Sequence, residues 1–160
     1  MNVNPSDVIL MAHATFGVLG TLAALWVFVE ALNASEANAA RTRTAAALVA
    51  FFMAVTCFVG GYWYVRFYPA DRAMILKGPW PFAHNVFMET KEHLFFATLI
   101  LALYLPFAAG ERLASNPAAR KMVLCVAALI VLTGLTMEGS GAIINHGAKL
   151  ALRAAVGGTQ

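Results

Sequence analysis

The stretch VILMAHATFGVLGTLAALWVFVEAL, Val8 to Leu32, carries just two titratable side chains, His13 towards its start and Glu30 towards its end. Its length exceeds the roughly 20 apolar residues a helix needs to cross the hydrocarbon of a bilayer. Leu, Val, Ala and Phe occupy every face of the helix this stretch would form, so no polar stripe is left to meet water. In lipid each backbone N–H and C=O must find its partner within the segment, and without strand-like alternation that means a helix. The segment opens on Pro5-Ser6-Asp7, a helix start with an acceptor side chain at the cap.

Three further apolar runs follow, at about residues 44–65, 82–109 and 122–144, so that with the first at about 8–32 the chain is predicted to span a membrane four times. Composition agrees. The 160 residues are 61% hydrophobic and 12% charged, with a mean hydropathy of +0.72. Ordinary soluble domains hold roughly 45–50% apolar and about 25% charged residues. The expected fold is an all-α integral membrane protein, an up-down-up-down bundle of four transmembrane helices forming one domain. The stretch RFYPADRAMILKGPWP between spans two and three holds Pro69, Gly78, Pro79 and Pro81 around an apolar centre, and is expected to form a structured cap. Residues 147–160 alternate cations and leucines at helical spacing, which predicts an interfacial tail. The N-terminus lacks the positive region of a signal peptide, so the first span is expected to be retained.

With this topology one face of the membrane, side A, holds the N-terminus, the middle connection and the C-terminus; side B holds the other two loops. Arg66, Arg72, Lys77, Lys149 and Arg153 fall on side A, against Arg41, Arg43, Arg112, Arg120 and Lys121 on side B. The positive-inside rule is therefore tied and gives no orientation. Tyr62, Trp63, Tyr64, Tyr68 and Trp80 gather near side A as an expected aromatic girdle. A bacterial inner (cytoplasmic) membrane is the expected location. The formal charge of +3 is scattered, without basic tracts, which argues against nucleic acid as a partner. Cys57 and Cys125 both lie in apolar runs and read as small core residues. No CxxCH, GxSxG, HExxH or phosphate-cradling glycine loop occurs.

The chemistry collects at one depth. His13, His84, His93 and His146 all fall in or beside the side A leaflet, although they are far apart in sequence. Glu89 and Glu92 open the third span, and Glu138 lies inside the fourth. Ionisable groups inside a bilayer are costly and face a partner or a cavity. Lys91 is either the partner of Glu138 or a snorkelling interfacial residue. Gly17, Gly60, Gly61, Gly139, Gly141 and Gly147 share this depth, and glycine lets a backbone or a flat ligand come close.

Three functional readings follow. In the first, His13 and His93, with His146 as the alternative, bind one haem b as axial ligands. Gly17, Gly60 and Gly61 would make room for the ring, and Arg66, Arg72 and Lys77 would hold its propionates. In helix count and histidine placement the chain resembles the small four-helix cytochromes b. Such a site is expected to pass electrons between quinol or quinone and a redox partner or larger membrane complex at the side A surface, with the character of a quinone-linked oxidoreductase. Glu89, Glu92 and Glu138 would then handle the protons. In the second, His13, His93 and His146 with the carboxylates hold iron, copper or zinc without porphyrin. The third is an anchor subunit of a larger complex or a small proton-coupled transporter. His84, nine residues from His93 and on the opposite helix face, is expected to be an interfacial residue outside the site.

Overall fold

A computed structural model describes residues 4–157 of the chain. Helix α1 spans Pro5–Leu32, α2 Ala39–Arg66, α3 Tyr68–Lys77, α4 Glu89–Ala108 and α5 Pro117–Gly157; a π-helical turn, Ala83–Met88, leads directly into α4. Four of these, with the π turn counted into the third, are long and apolar enough to cross a membrane. The order around the bundle is α1, α2, α4, α5, each packed on the next and the last closing back onto the first. The short α3 sits over the side A end, against α2, the π turn and α5.

Each end of the bundle is fastened by polar side chains. Asn4 caps α1 by accepting from the Ser6 N–H at 3.1 Å, and the Trp63 indole N–H donates to Ser6 Oγ at 3.0 Å, tying the start of α1 to the end of α2. On side B, Arg120 satisfies the orphan carbonyls that end α1, donating to Ala31 O at 2.8 Å and to Leu32 O. Asn38 closes the first loop by donating to Glu30 Oε2 at 2.8 Å, and Arg41 pairs with Glu30 at 3.0 Å.

The interior divides into two cores. The side B half is built of small and branched apolar residues, with Ala24, Val27, Ala45, Val49, Val123, Ala127 and Ile130 all fully buried. The side A core is larger-grained: Tyr68, Ile75, Ala83, Met88 and Ile144, with Trp63, Tyr64 and Phe87 packed around them. The outer surface is apolar, with Phe58 77% and Phe107 78% exposed. In water such surface would cost about 25 cal/mol per Å², so lipid is its solvent.

The fourth helix continues past the expected end of its span: α5 runs unbroken for 41 residues, and residues 147–157 are part of it. At about 1.5 Å per residue that is about 60 Å, roughly twice the hydrocarbon thickness. Its far end is held by close contacts: a Cβ at Gly147 would lie 2.7 Å from the Ala83 Cβ, and one at Gly78 of the cap 2.7 Å from the Ala151 Cβ. The last turns of α5 therefore dock onto the cap. The aromatic girdle is also partly internal, since Tyr68 is 1% exposed. Of the cysteines, Cys57 is half-buried and Cys125 faces outwards, so neither belongs to the core.

Candidate functional site

All four spans contribute to a cavity of about 40 Å³ on the bundle axis. His13, Gly17 and Thr21 line it from α1, Met53 and Thr56 from α2, Lys91 and Thr98 from α4, and Gly134, Met137 and Glu138 from α5. His13 is fixed by Thr56, whose hydroxyl donates to the His13 carbonyl at 2.7 Å. The His13 Nδ1 lies 2.9 Å from Thr56 O and 2.8 Å from Thr56 Oγ1. A carbonyl only accepts, so Nδ1 carries the hydrogen, and Nε2 is the ring's free position. Gly60 gives the imidazole its space, as any Cβ there would run into the ring.

Lys91 starts in the first turn of α4 and reaches inwards, its Nζ only 3.3 Å from where a Cβ on Gly141 would stand. It shares the cavity with Glu138 and His13. Lys91 and Glu138 line the same cavity, and among the described residues no salt bridge joins them. Glu138 rests on Gly17, where a Cβ would come within 2.6 Å of Oε1. Towards side B, Thr21 packs into Gly134 and Met53 into Gly20, and the apolar core follows.

The other expected ligands do not reach this cavity. His93 is exposed and donates from Nδ1 to the Glu89 carbonyl of its own helix at 2.6 Å. His146 is exposed too, its ring edge-on to Trp80 with centroids 4.9 Å apart. The expected pairing of His13 with His93 or His146 is thus not made: both rings are exposed, whereas His13 lines the axis. Among the described residues no three His, Cys, Asp or Glu side chains gather to hold a metal ion. The glycines expected to clear space for a ring do something else, Gly17 seating Glu138 and Gly60 seating His13, while Gly61 has open space beside it. Arg66 and Lys77 are exposed at helix ends. A cavity of about 40 Å³ admits a few waters, since about 10–15 Å³ suffices for one, whereas sites for drug-sized ligands run to about 300–1,000 Å³. The residues around it do not fit a haem.

A second polar cluster lies under the cap, around the histidine that the sequence reading set aside. His84 is 2% exposed. Arg72 Nε donates to His84 Nε2 at 2.8 Å, and Tyr68 Oη lies 3.0 Å from Nδ1. Arginine can only donate, so Nε2 is unprotonated, Nδ1 carries the hydrogen and gives it to Tyr68, and the ring is neutral. The 3.6 Å approach of Glu89 Oε1 to Nε2 is then a contact and not an ion pair. Tyr68 stacks on Tyr64, with centroids 5.3 Å apart. Burial, then the neighbouring Tyr64, Glu92 and Asp71, push its phenol well above the usual tyrosine range, against the pull of Arg72, so it keeps its proton. Burial, and then Asp7, likewise push the Asp71 carboxyl up. Beside this cluster, Glu92 Oε1 is buried with no hydrogen-bond partner among the described residues.

A signal for this cluster was present in YPADR. Pro69 starts a helix, which puts Tyr68 and Arg72 at i and i+4 on one face, aimed at a common acceptor. No family model, curated protein or solved structure matches the chain.

Proposed function

We propose that this chain is a proton-handling membrane protein, which loads and releases a proton at the His13–Lys91–Glu138 cavity from side A only. One observation carries the reading: the bundle is polar and titratable in one half and sealed in the other by a fully buried apolar core. Ionisable groups at this depth mark proton and ion pathways. His13 presents a free ring nitrogen, Glu138 a carboxylate, and Lys91 a positive charge on the same cavity. The cavity's size suits water, not a substrate. Such a site serves a proton-coupled transporter, or the proton-handling subunit of a quinone-linked complex. Helical spans suit a bacterial cytoplasmic membrane; outer-membrane proteins are typically barrels.

Infrared difference spectra between acid and alkaline samples in nanodiscs test it. A carboxylic C=O band is expected that Glu138→Gln removes. A carboxyl that stays in one protonation state across the range, leaving no Glu138-dependent band, overturns the proposal.

The haem b reading has one observation in its favour. His93 and His146 offer exposed imidazoles at the same end of the bundle as the exposed cations Arg66 and Lys77. Those residues would hold a haem on the outside of the bundle, where it would supply electron transfer with a quinone or redox partner. Under this reading the purified protein shows a Soret band that His93→Ala diminishes. A colourless preparation with stoichiometric protein rules it out.

A further inference from the structure

The hydroxyl hydrogens around the central cavity are already taken. Thr21, Thr56 and Thr98 are buried and line it. Each gives its hydrogen to a backbone carbonyl: Thr21 to Gly17 O at 3.0 Å, Thr56 to His13 O at 2.7 Å and Thr98 to Leu94 O at 2.9 Å. A hydroxyl that has donated keeps its lone pairs, so these three offer the cavity acceptors. His13 uses its Nδ1 hydrogen on Thr56 and offers the Nε2 lone pair. Met53 and Met137 offer thioether sulfur, and Glu138 a carboxylate. Among the described residues on the cavity, Lys91 is the one side chain that brings hydrogens and positive charge to it.

We propose that this cavity is a site for a small monovalent inorganic cation, sodium, which takes the place of the Lys91 charge and is exchanged for its proton. This rests on the proton-handling reading and names the ion for which the proton is exchanged.

Three oxygens gather around Gly17. A Cβ placed there would stand 2.6 Å from Glu138 Oε1 and 3.5 Å from Thr56 Oγ1, so both oxygens face one point over a residue without a side chain. The Gly17 carbonyl accepts from Thr21, which brings Thr21 Oγ1 to the same residue, and Gly134 leaves room for that hydroxyl. Hard cations take oxygen ligands, carboxylates among them, in preference to sulfur. A cavity that admits a few waters holds one such ion and excludes an organic cation.

The titratable groups on the cavity are His13 from α1, Lys91 from α4 and Glu138 from α5; α2 brings Met53 and Thr56, which carry no charge. One carboxylate balances one positive charge at low dielectric, and a second cation beside it is repelled. Sodium entering from side A therefore drives one proton off the Lys91 ammonium into side A water. Lys91 is left as a neutral amine. The cavity holds one positive and one negative charge before and after, and one cation has entered for each proton that has left.

Infrared difference spectra of the full chain in nanodiscs, sodium chloride against choline chloride at equal ionic strength, test the site. A saturable shift of the Glu138 carboxylate stretch is expected, identified as the shift that Glu138→Gln removes. Its midpoint falls to lower sodium as pH rises, because binding releases a proton. Lys91→Met removes the resident cation and lowers the midpoint about tenfold, the scale of coupling between neighbouring charges. Thr21→Val, which keeps the shape and loses the oxygen, raises it; Lys91→Met carries the test if that variant does not fold. No sodium-dependent shift in wild type or in Lys91→Met overturns the site, as does a Thr21→Val midpoint equal to wild type. An equal response to potassium marks screening of the carboxylate and also overturns it. A wild-type midpoint that ignores pH overturns the exchange. The acid–alkaline Glu138 band is read in choline alone, so failure of the proton-handling reading and failure of the sodium site are told apart.

Discussion

Lys91→Met lowers the stability of the detergent-solubilised protein by about 3 kcal/mol, and adding Glu138→Gln returns a large part of the loss. Methionine keeps the length and volume of the lysine stem, so little packing is lost and the effect is electrostatic. Removing one member of a buried pair of charges leaves the other uncompensated, which costs about 3–5 kcal/mol. Here the lower end applies because Lys91 and Glu138 line the same cavity and no salt bridge joins them. Neutralising Glu138 as well removes the stranded charge. The double-mutant cycle is therefore expected to show a coupling of about 1–3 kcal/mol, the range for residues sharing one network. Equilibrium unfolding of the four proteins measures it. Strict additivity would mean that the two charges do not sense each other, and the central site would lose its basis.

The second large effect belongs to the cap. Tyr68→Ala empties a position that is 1% exposed, among Trp63, Tyr64 and His84, and strands the hydrogen that His84 Nδ1 donates. Truncation of a buried aromatic costs about 3–5 kcal/mol, and an orphaned buried donor adds to that. The damage should be local: hydrogen exchange rises across Tyr68–Lys77 and the π turn while the side B half of α1 and α2 stays protected. Phe58→Ala, which removes a ring that is 77% exposed, is the control and is expected to cost much less. Equal losses from the two substitutions would show that Tyr68 is not the keystone of the cap.

What could be read in the sequence, and what could not, divides along physical lines. The four spans were legible because hydrocarbon thickness imposes a length and lipid imposes an apolar exterior; both are local properties of the chain. The depth of His13, Glu138 and Lys91 was legible for the same reason, since alternating spans convert sequence position into height. Azimuth was not. His93 and Lys91 are two residues apart, yet one faces outwards and the other fills the axis, and only packing against three other helices decides which. The glycines misled for a related reason. A small residue marks a close approach without naming what approaches, and at Gly17 and Gly60 the visitors are the protein's own Glu138 and His13. His84 was overlooked because it was judged only against His93, whereas its partners Tyr68 and Arg72 come from α3, whose packing on the π turn is not a local property of the chain.

The unbroken course of α5 has a mechanical consequence. Glu138 and Ala151 ride on one stiff rod, about 20 Å apart at the rise of an α-helix, and Ala151 is wedged against Gly78 of the cap. A partner that pushes or tilts the outer surface of the cap therefore also shifts the Glu138 carboxylate at the central cavity. The rod is a lever with one arm in water, and force applied outside reaches the buried carboxylate without any signal having to cross the lipid.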